Sequence, residues 1–86
     1  MKDDINSKEL VIEYPCIWRY KVIIASGSDI KAIIKKILKD REHTVKFSNQ
    51  KGDYKSYNLE LLVVNGEDRE SIFKALKIDT DVKFIL

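Results

Sequence analysis

Residues 17–38 read IWRYKVIIASGSDIKAIIKKIL, and two different periods meet inside this stretch. From Ile17 to Ala25 the period is two. Trp18, Tyr20, Val22 and Ile24 alternate with Ile17, Arg19, Lys21 and Ile23, in a segment rich in aromatic and β-branched residues, which predicts a strand. The first set is apolar and is expected to face the core. The second carries two cations and is expected to face solvent or a partner. Ser26-Gly27-Ser28-Asp29 then ends the strand. Ser28 is the expected helix cap, its hydroxyl accepting an orphan amide, and Asp29 suits the positive end of the helix dipole. Ile30, Ile33, Ile34, Ile37 and Leu38 follow at i, i+3, i+4, i+7 and i+8, the pattern of an amphipathic helix. Lys31, Lys35, Lys36 and Lys39 fill its other face. A strand with one apolar side leading into a helix with one apolar stripe calls for two packed layers.

Downstream, Thr44 to Asn49 reads as a strand with Val45 and Phe47 inward and Thr44, Lys46 and Ser48 outward. Gln50-Lys51-Gly52-Asp53 is a turn in which Gly52 supplies a positive φ. Tyr54 to Val64 is a third strand. Tyr57, Leu59, Leu61 and Val63 share one side, and Ser56, Asn58, Glu60 and Leu62 the other. Asn65-Gly66 breaks it. Glu67 to Lys77 is a second helix with acids at its start, Lys74 and Lys77 near its end, and Ile72, Phe73 and Leu76 as its stripe. Asp79-Thr80-Asp81 leads into a last strand, Val82 to Leu86, with Val82, Phe84 and Leu86 expected inward. Upstream, Leu10-Val11-Ile12 is closed by Glu13-Tyr14-Pro15 and reads as a lead-in laid against the domain. Residues 1–9 are expected to be a flexible tail, and 10–86 a single domain.

Strand, helix, strand, strand, helix, strand is the order of an α+β, ferredoxin-like sandwich: an antiparallel sheet with both helices on one face. The first and last strands should be neighbours, and Ile34, Phe47, Leu61 and Phe84 should be largely buried. The open face should carry Arg19, Lys21, Ile23, Lys46, Ser56, Asn58, Glu60, Leu62, Lys83 and Ile85.

The chain has 86 residues, a formal net charge of +2, 44% hydrophobic and 35% charged residues, and one Cys. This fits one small globular domain. A single Cys excludes an internal disulfide framework and a multi-cysteine zinc site. The polar, acidic start Met1-Lys2-Asp3-Asp4 has no long apolar run behind it, so neither a secretory signal nor a membrane span is expected, and the cytoplasm is the expected compartment. A sequence pI of about 8.6 lies below the range of dedicated nucleic-acid domains.

Three stretches carry a family likeness: Tyr14-Pro15-Cys16 running into Tyr20-Lys21-Val22, Ser48 through Gly52-Asp53-Tyr54 to Ser56, and the closing Val82-Lys83-Phe84-Ile85-Leu86. On these the chain resembles the YbeD-like proteins, a family of small bacterial domains of unassigned function. The resemblance implies a ferredoxin-like fold similar to the ligand-sensing ACT domains. It supplies no catalytic residues.

Few residue constellations point to chemistry. Cys16 and His43 are a conceivable thiolate–imidazole pair, but the topology places the third strand between them, so Cys16 reads as a small hydrophobe. His43 is the only His, which excludes a histidine-rich metal site. Glu67, Asp68 and Glu70 serve the helix dipole, and Ser26-Gly27-Ser28 reads as a cap rather than an anion loop. No enzymatic activity, cofactor or metal is expected. An RNA-type sheet face needs rings on its outward side, and Arg19, Lys21, Ser56, Asn58 and Glu60 provide none. Two binding surfaces stay open. The first is the open sheet face, with Arg19, Lys21, Ile23, Leu62, Lys83 and Ile85. There an apolar cluster rimmed by cations would suit a protein partner, self-association or a small effector. The alternative is nucleic acid on the ridge Lys31, Lys35, Lys36, Lys39 and Arg41. No membrane partner is expected.

Overall fold

The computed structural model describes residues 12–86. The tail expected over residues 1–9, and Leu10 and Val11 of the lead-in, lie outside the described residues. Six elements follow in the expected order: β1 Cys16–Ala25, α1 Ile30–Leu38, β2 Thr44–Lys51, β3 Tyr54–Val63, α2 Gly66–Ile78 and β4 Val82–Ile85. The sheet order is β2-β3-β1-β4, antiparallel throughout, so β1 and β4 are neighbours as the chain order predicted.

The core lies between this sheet and the two helices. Tyr20, Val22 and Ile24 of β1, Leu59, Leu61 and Val63 of β3, and Val82 of β4 pack with Ile30, Ile33, Ile34 and Leu38 of α1 and with Ile72 and Leu76 of α2. Fully burying an aliphatic side chain of this size stabilises the fold by about 1.5–3 kcal/mol, so the two helix stripes hold the layers together. Trp18 is half-buried, with the Arg69 guanidinium 4.6 Å above its ring. The Tyr20 hydroxyl donates to the Arg69 carbonyl at 2.7 Å. Burial, then the charge of Asp68, pushes the Tyr20 hydroxyl up to about 12.

The cap of α1 sits one residue later than expected. Asp29, not Ser28, is the N-cap, and its carboxylate accepts the amides of Lys31 at 3.0 Å and Ala32 at 3.4 Å. A carboxylate at that position serves both the orphan amides and the dipole, which a hydroxyl one residue earlier does not. The helix stops at Lys39, whose φ of 59° and ψ of −117° place a non-glycine residue in left-handed backbone.

Two further corrections concern faces. Phe47, expected in the core, is 56% exposed. It lies on the helix side of β2, but β2 is an edge strand, and the core reaches Val45 while leaving Phe47 outside it. The ring instead meets Tyr57 edge-on, centroids 5.6 Å apart at 74°. Phe84, also expected inside, is 61% exposed, and Leu86 with it is exposed. The cause is a bulge. Ile23 pairs with Phe84 but Ile24 pairs with Val82, leaving Lys83 as the extra residue. One inserted residue inverts the alternation beyond it. Val82 and Ile85 therefore face the core, while Phe84 and Leu86 face the open side. Ile85 and Lys83 do not sit on the open face as regular ladder positions, contrary to expectation. A second bulge at Ser48 in β2 has the same effect, because Phe47 pairs with Tyr57 and Asn49 with Ser56. It turns Asn49 and Lys51 onto the open side. The hairpin closes through Gly52, at φ 60°, and Asp53.

Candidate functional site

The open face is a ladder of directly opposed pairs. Between β1 and β3 these are Ile17 with Leu62, Arg19 with Glu60, Lys21 with Asn58 and Ile23 with Ser56. Arg19 Nε donates to Glu60 Oε2 at 2.7 Å, an exposed ion pair across the middle of the face. Ile23 and Leu62 thus lie six residues apart along the strands, roughly 20 Å at about 3.3 Å per residue. With Ile85 on the core side, the expected Ile23–Leu62–Ile85 cluster does not form. The apolar surface is divided instead into two ends, Ile17 with Leu62 at one and a larger group around Ile23 at the other.

That larger end holds the candidate site. A groove of about 420 Å³ lies across β3, β1 and β4 beside the β2–β3 hairpin. Ile23, Phe84 and Leu86 line it, Tyr54 bounds it at the start of β3, and Asn49 and Ser56 add polar groups. Lys21 and Lys51 are its cations on the open side, and Lys55 also lines it. No acidic side chain is among the lining residues, and among the described residues neither Lys21 nor Lys51 forms an ion pair. Of the residues predicted for this face, the groove takes in Lys21, Ile23 and Ser56. Arg19 and Leu62 lie away from it, and Lys83 lines a different cavity with Phe73, Lys77 and Val82. Phe84, Leu86, Asn49 and Lys51 were hidden from the sequence by the two bulges. Tyr54 was readable from its shared parity with Ser56. The statement that the open face lacks rings is therefore corrected: it carries Tyr54 and Phe84.

The lysine ridge is smaller than its sequence suggests. Lys31, Lys35 and Lys39 are exposed, but Lys36 Nζ lies 2.8 Å from Asp79 Oδ2. Burial alone would raise the Asp79 carboxyl. The bond from Lys36, with the Asp81 amide at 2.9 Å, more than offsets it and holds that carboxyl below its ordinary value. Arg41 turns away from the ridge altogether. Its Nη1 donates to Asp68 Oδ1 at 2.8 Å, its Nη2 to Asp68 Oδ2, and Nη2 also to the Leu62 carbonyl at 2.8 Å. Val64 N completes the cluster by donating to Asp68 Oδ2 at 2.9 Å. The Arg41 bonds, joined by the Val64 amide, lower the Asp68 carboxyl against the opposing effect of burial. Arg41 is thus a tie between the α1–β2 connection and the start of α2.

Cys16 and His43 are not brought together. Cys16 pairs with Val63 at the start of β1, and His43 precedes Thr44, which pairs with Glu60, so β3 runs between them. His43 Nδ1 lies 2.8 Å from the Arg41 carbonyl, and since a carbonyl only accepts, that nitrogen carries its proton. Two of the first-turn amides after Ser26-Gly27-Ser28, those of Lys31 and Ala32, are taken by the Asp29 carboxylate. Among the described residues no three His, Cys, Asp or Glu side chains converge on one point, and no helix is long and apolar enough to cross a membrane.

Comparison with known proteins places this geometry in a family. An uncharacterised protein of Campylobacter jejuni is 41% identical over 81 residues, 92% of this chain and 91% of that protein. An uncharacterised protein of Helicobacter pylori is 27% identical over 73 residues, 83% and 85% of the two chains. The solution structure of protein HP0495 from Helicobacter pylori superposes with a TM-score of 0.78 at 28% identity, covering 100% of this chain and 94% of that one. The fold is thus shared with a solved structure, and the expected likeness to small bacterial proteins of unassigned function holds at that level. The family model described as "Protein of unknown function (DUF493)" matches residues 9–86, and the chain belongs to that family.

Proposed function

We propose that this protein is a non-catalytic, cytosolic binding domain, regulatory in the manner of ACT domains, that takes a small effector on the hairpin end of its open sheet face. The observation that carries this is the groove itself. Phe84 and Leu86 stand exposed beside Ile23 on a face that no helix covers, where burying them against a ligand would be favourable. The YbeD-like stretches bear on the same place: Tyr54 and Ser56 of one, and Phe84 and Leu86 of another, line the groove. An active centre is not supported, since Cys16 and His43 are separated and each carboxylate with a displaced pKa is engaged in an ion pair. Nucleic-acid binding on α1 loses two of its five cations, Lys36 and Arg41, to Asp79 and Asp68.

The test is a fragment library screened against the ¹⁵N-labelled chain by amide shifts. Hits should converge on the amides of Ile23, Tyr54, Ser56 and Phe84, and Ile23→Lys should abolish them. Hits confined to α1, or no saturable hit at the groove, would overturn the proposal.

A further inference from the structure

We infer that the effector of this groove is a small amphipathic anion, an aliphatic or aromatic body bearing a single carboxylate. This rests on the binding function proposed above and adds the chemistry of the ligand. The floor and walls are hydrocarbon: Ile23 and Leu86 offer branched aliphatic surface, and Phe84 and Tyr54 offer rings. A volume of about 420 Å³ falls at the lower end of the range of small-molecule sites, roughly 300–1,000 Å³. Charge then selects within that class. Lys21 from β1 and Lys51 from β2 stand on the same side of the sheet, with Lys46 further along β2. No side chain lining the groove is acidic, and Glu60, further along the open face of β3, is held by Arg19. Cations at the edge of apolar walls focus a positive potential into the groove and favour an anionic head group.

The topology argues for a small ligand over a peptide strand. The groove lies over β1, whose main-chain groups already bond to β3 on one side and β4 on the other. An arriving peptide would find no free ladder there and would be recognised by side chains alone. A single-stranded nucleic acid would need rings spaced along a basic track. Here the two rings flank one groove across β1, and the row beyond Lys21 and Lys46 holds Glu60, paired with Arg19.

The experiment titrates the ¹⁵N-labelled chain with submicellar decanoate, decanamide and decyltrimethylammonium, and with a single-stranded oligothymidylate. Decanoate should shift the amides of Ile23, Tyr54, Ser56 and Phe84 saturably. Decanamide should bind at least tenfold more weakly, and the cation not at all. The double variant Lys21→Gln/Lys51→Gln should weaken decanoate to the decanamide level and leave the thermal midpoint unchanged. Equal binding of decanoate and decanamide would overturn the anion assignment while leaving the groove as a site. Absence of any saturable shift at the groove would overturn both. Oligothymidylate shifts running through Arg19 and Lys46, tighter than those of decanoate, would replace the small anion with nucleic acid.

Discussion

Asp68→Asn tests the tie that holds the α1–β2 connection to the start of α2. Asp68 is only 16% exposed and receives both Arg41 nitrogens and the Val64 amide. Hydrogen bonds to a charged group contribute about 1.5–3 kcal/mol each when buried, and exposed ion pairs roughly 0–1 kcal/mol. Arg41 is about one-third exposed, so the lower part of that range applies. Asparagine also keeps one acceptor oxygen. The expected loss is about 2 kcal/mol at pH 7, read from urea titrations of both proteins. The pH dependence follows from the lowered Asp68 pKa. A carboxyl whose folded pKa lies below its unfolded value of about 3.9 contributes stability that is fully present above that value. The contribution is lost as pH falls from there through the folded pKa. The gap between wild type and variant should therefore stay constant from pH 7 to about 5 and narrow as pH falls below the unfolded value of about 3.9. A double-mutant cycle with Arg41→Met should return a coupling of about 1 kcal/mol or more. A loss below about 0.5 kcal/mol at pH 7, or a gap that widens as pH falls below about 3.9, would refute the reasoning.

Three other outcomes are expected. Ile34→Ala, at a side chain 1% exposed, should cost about 2–5 kcal/mol in a denaturant titration, and a loss under about 1 kcal/mol would place Ile34 outside the packed core. Lys39→Gly should raise stability by about 0.5–1 kcal/mol, because glycine tolerates φ 59° and ψ −117° where lysine is strained, and an unchanged or lower melting temperature would contradict that backbone. Phe47→Ala and Phe84→Ala should each cost less than about 1.5 kcal/mol by chemical denaturation, against about 3–5 kcal/mol for a core Phe; a loss in the core range would return that ring to the interior.

Much of the fold is written in local periods. The stripe Ile30, Ile33, Ile34, Leu38 and the alternation in β1 and β3 each specify one buried face, and burial of those faces leaves little choice but two layers. Chain order then specifies the antiparallel sheet. The candidate site is the part least legible. Alternation assumes an uninterrupted ladder, and nothing in Lys46 to Asn49 or Val82 to Phe84 announces that Ser48 and Lys83 are extra residues. Bulges arise from how two strands fit each other, so the residues they turn outward, Asn49 and Lys51 on β2 and Phe84 and Leu86 at β4, are decided by pairing alone. Phe47 fails for a related reason: its period marks the helix side correctly, but only the packed molecule shows that the core ends at Val45 on this edge strand and leaves Phe47 exposed. Charge behaves the same way. Lys36 and Arg41 look like members of a basic ridge because their partners Asp79 and Asp68 are distant in sequence, and an ion pair between two such residues exists only once the helices and the sheet bring them within hydrogen-bonding distance.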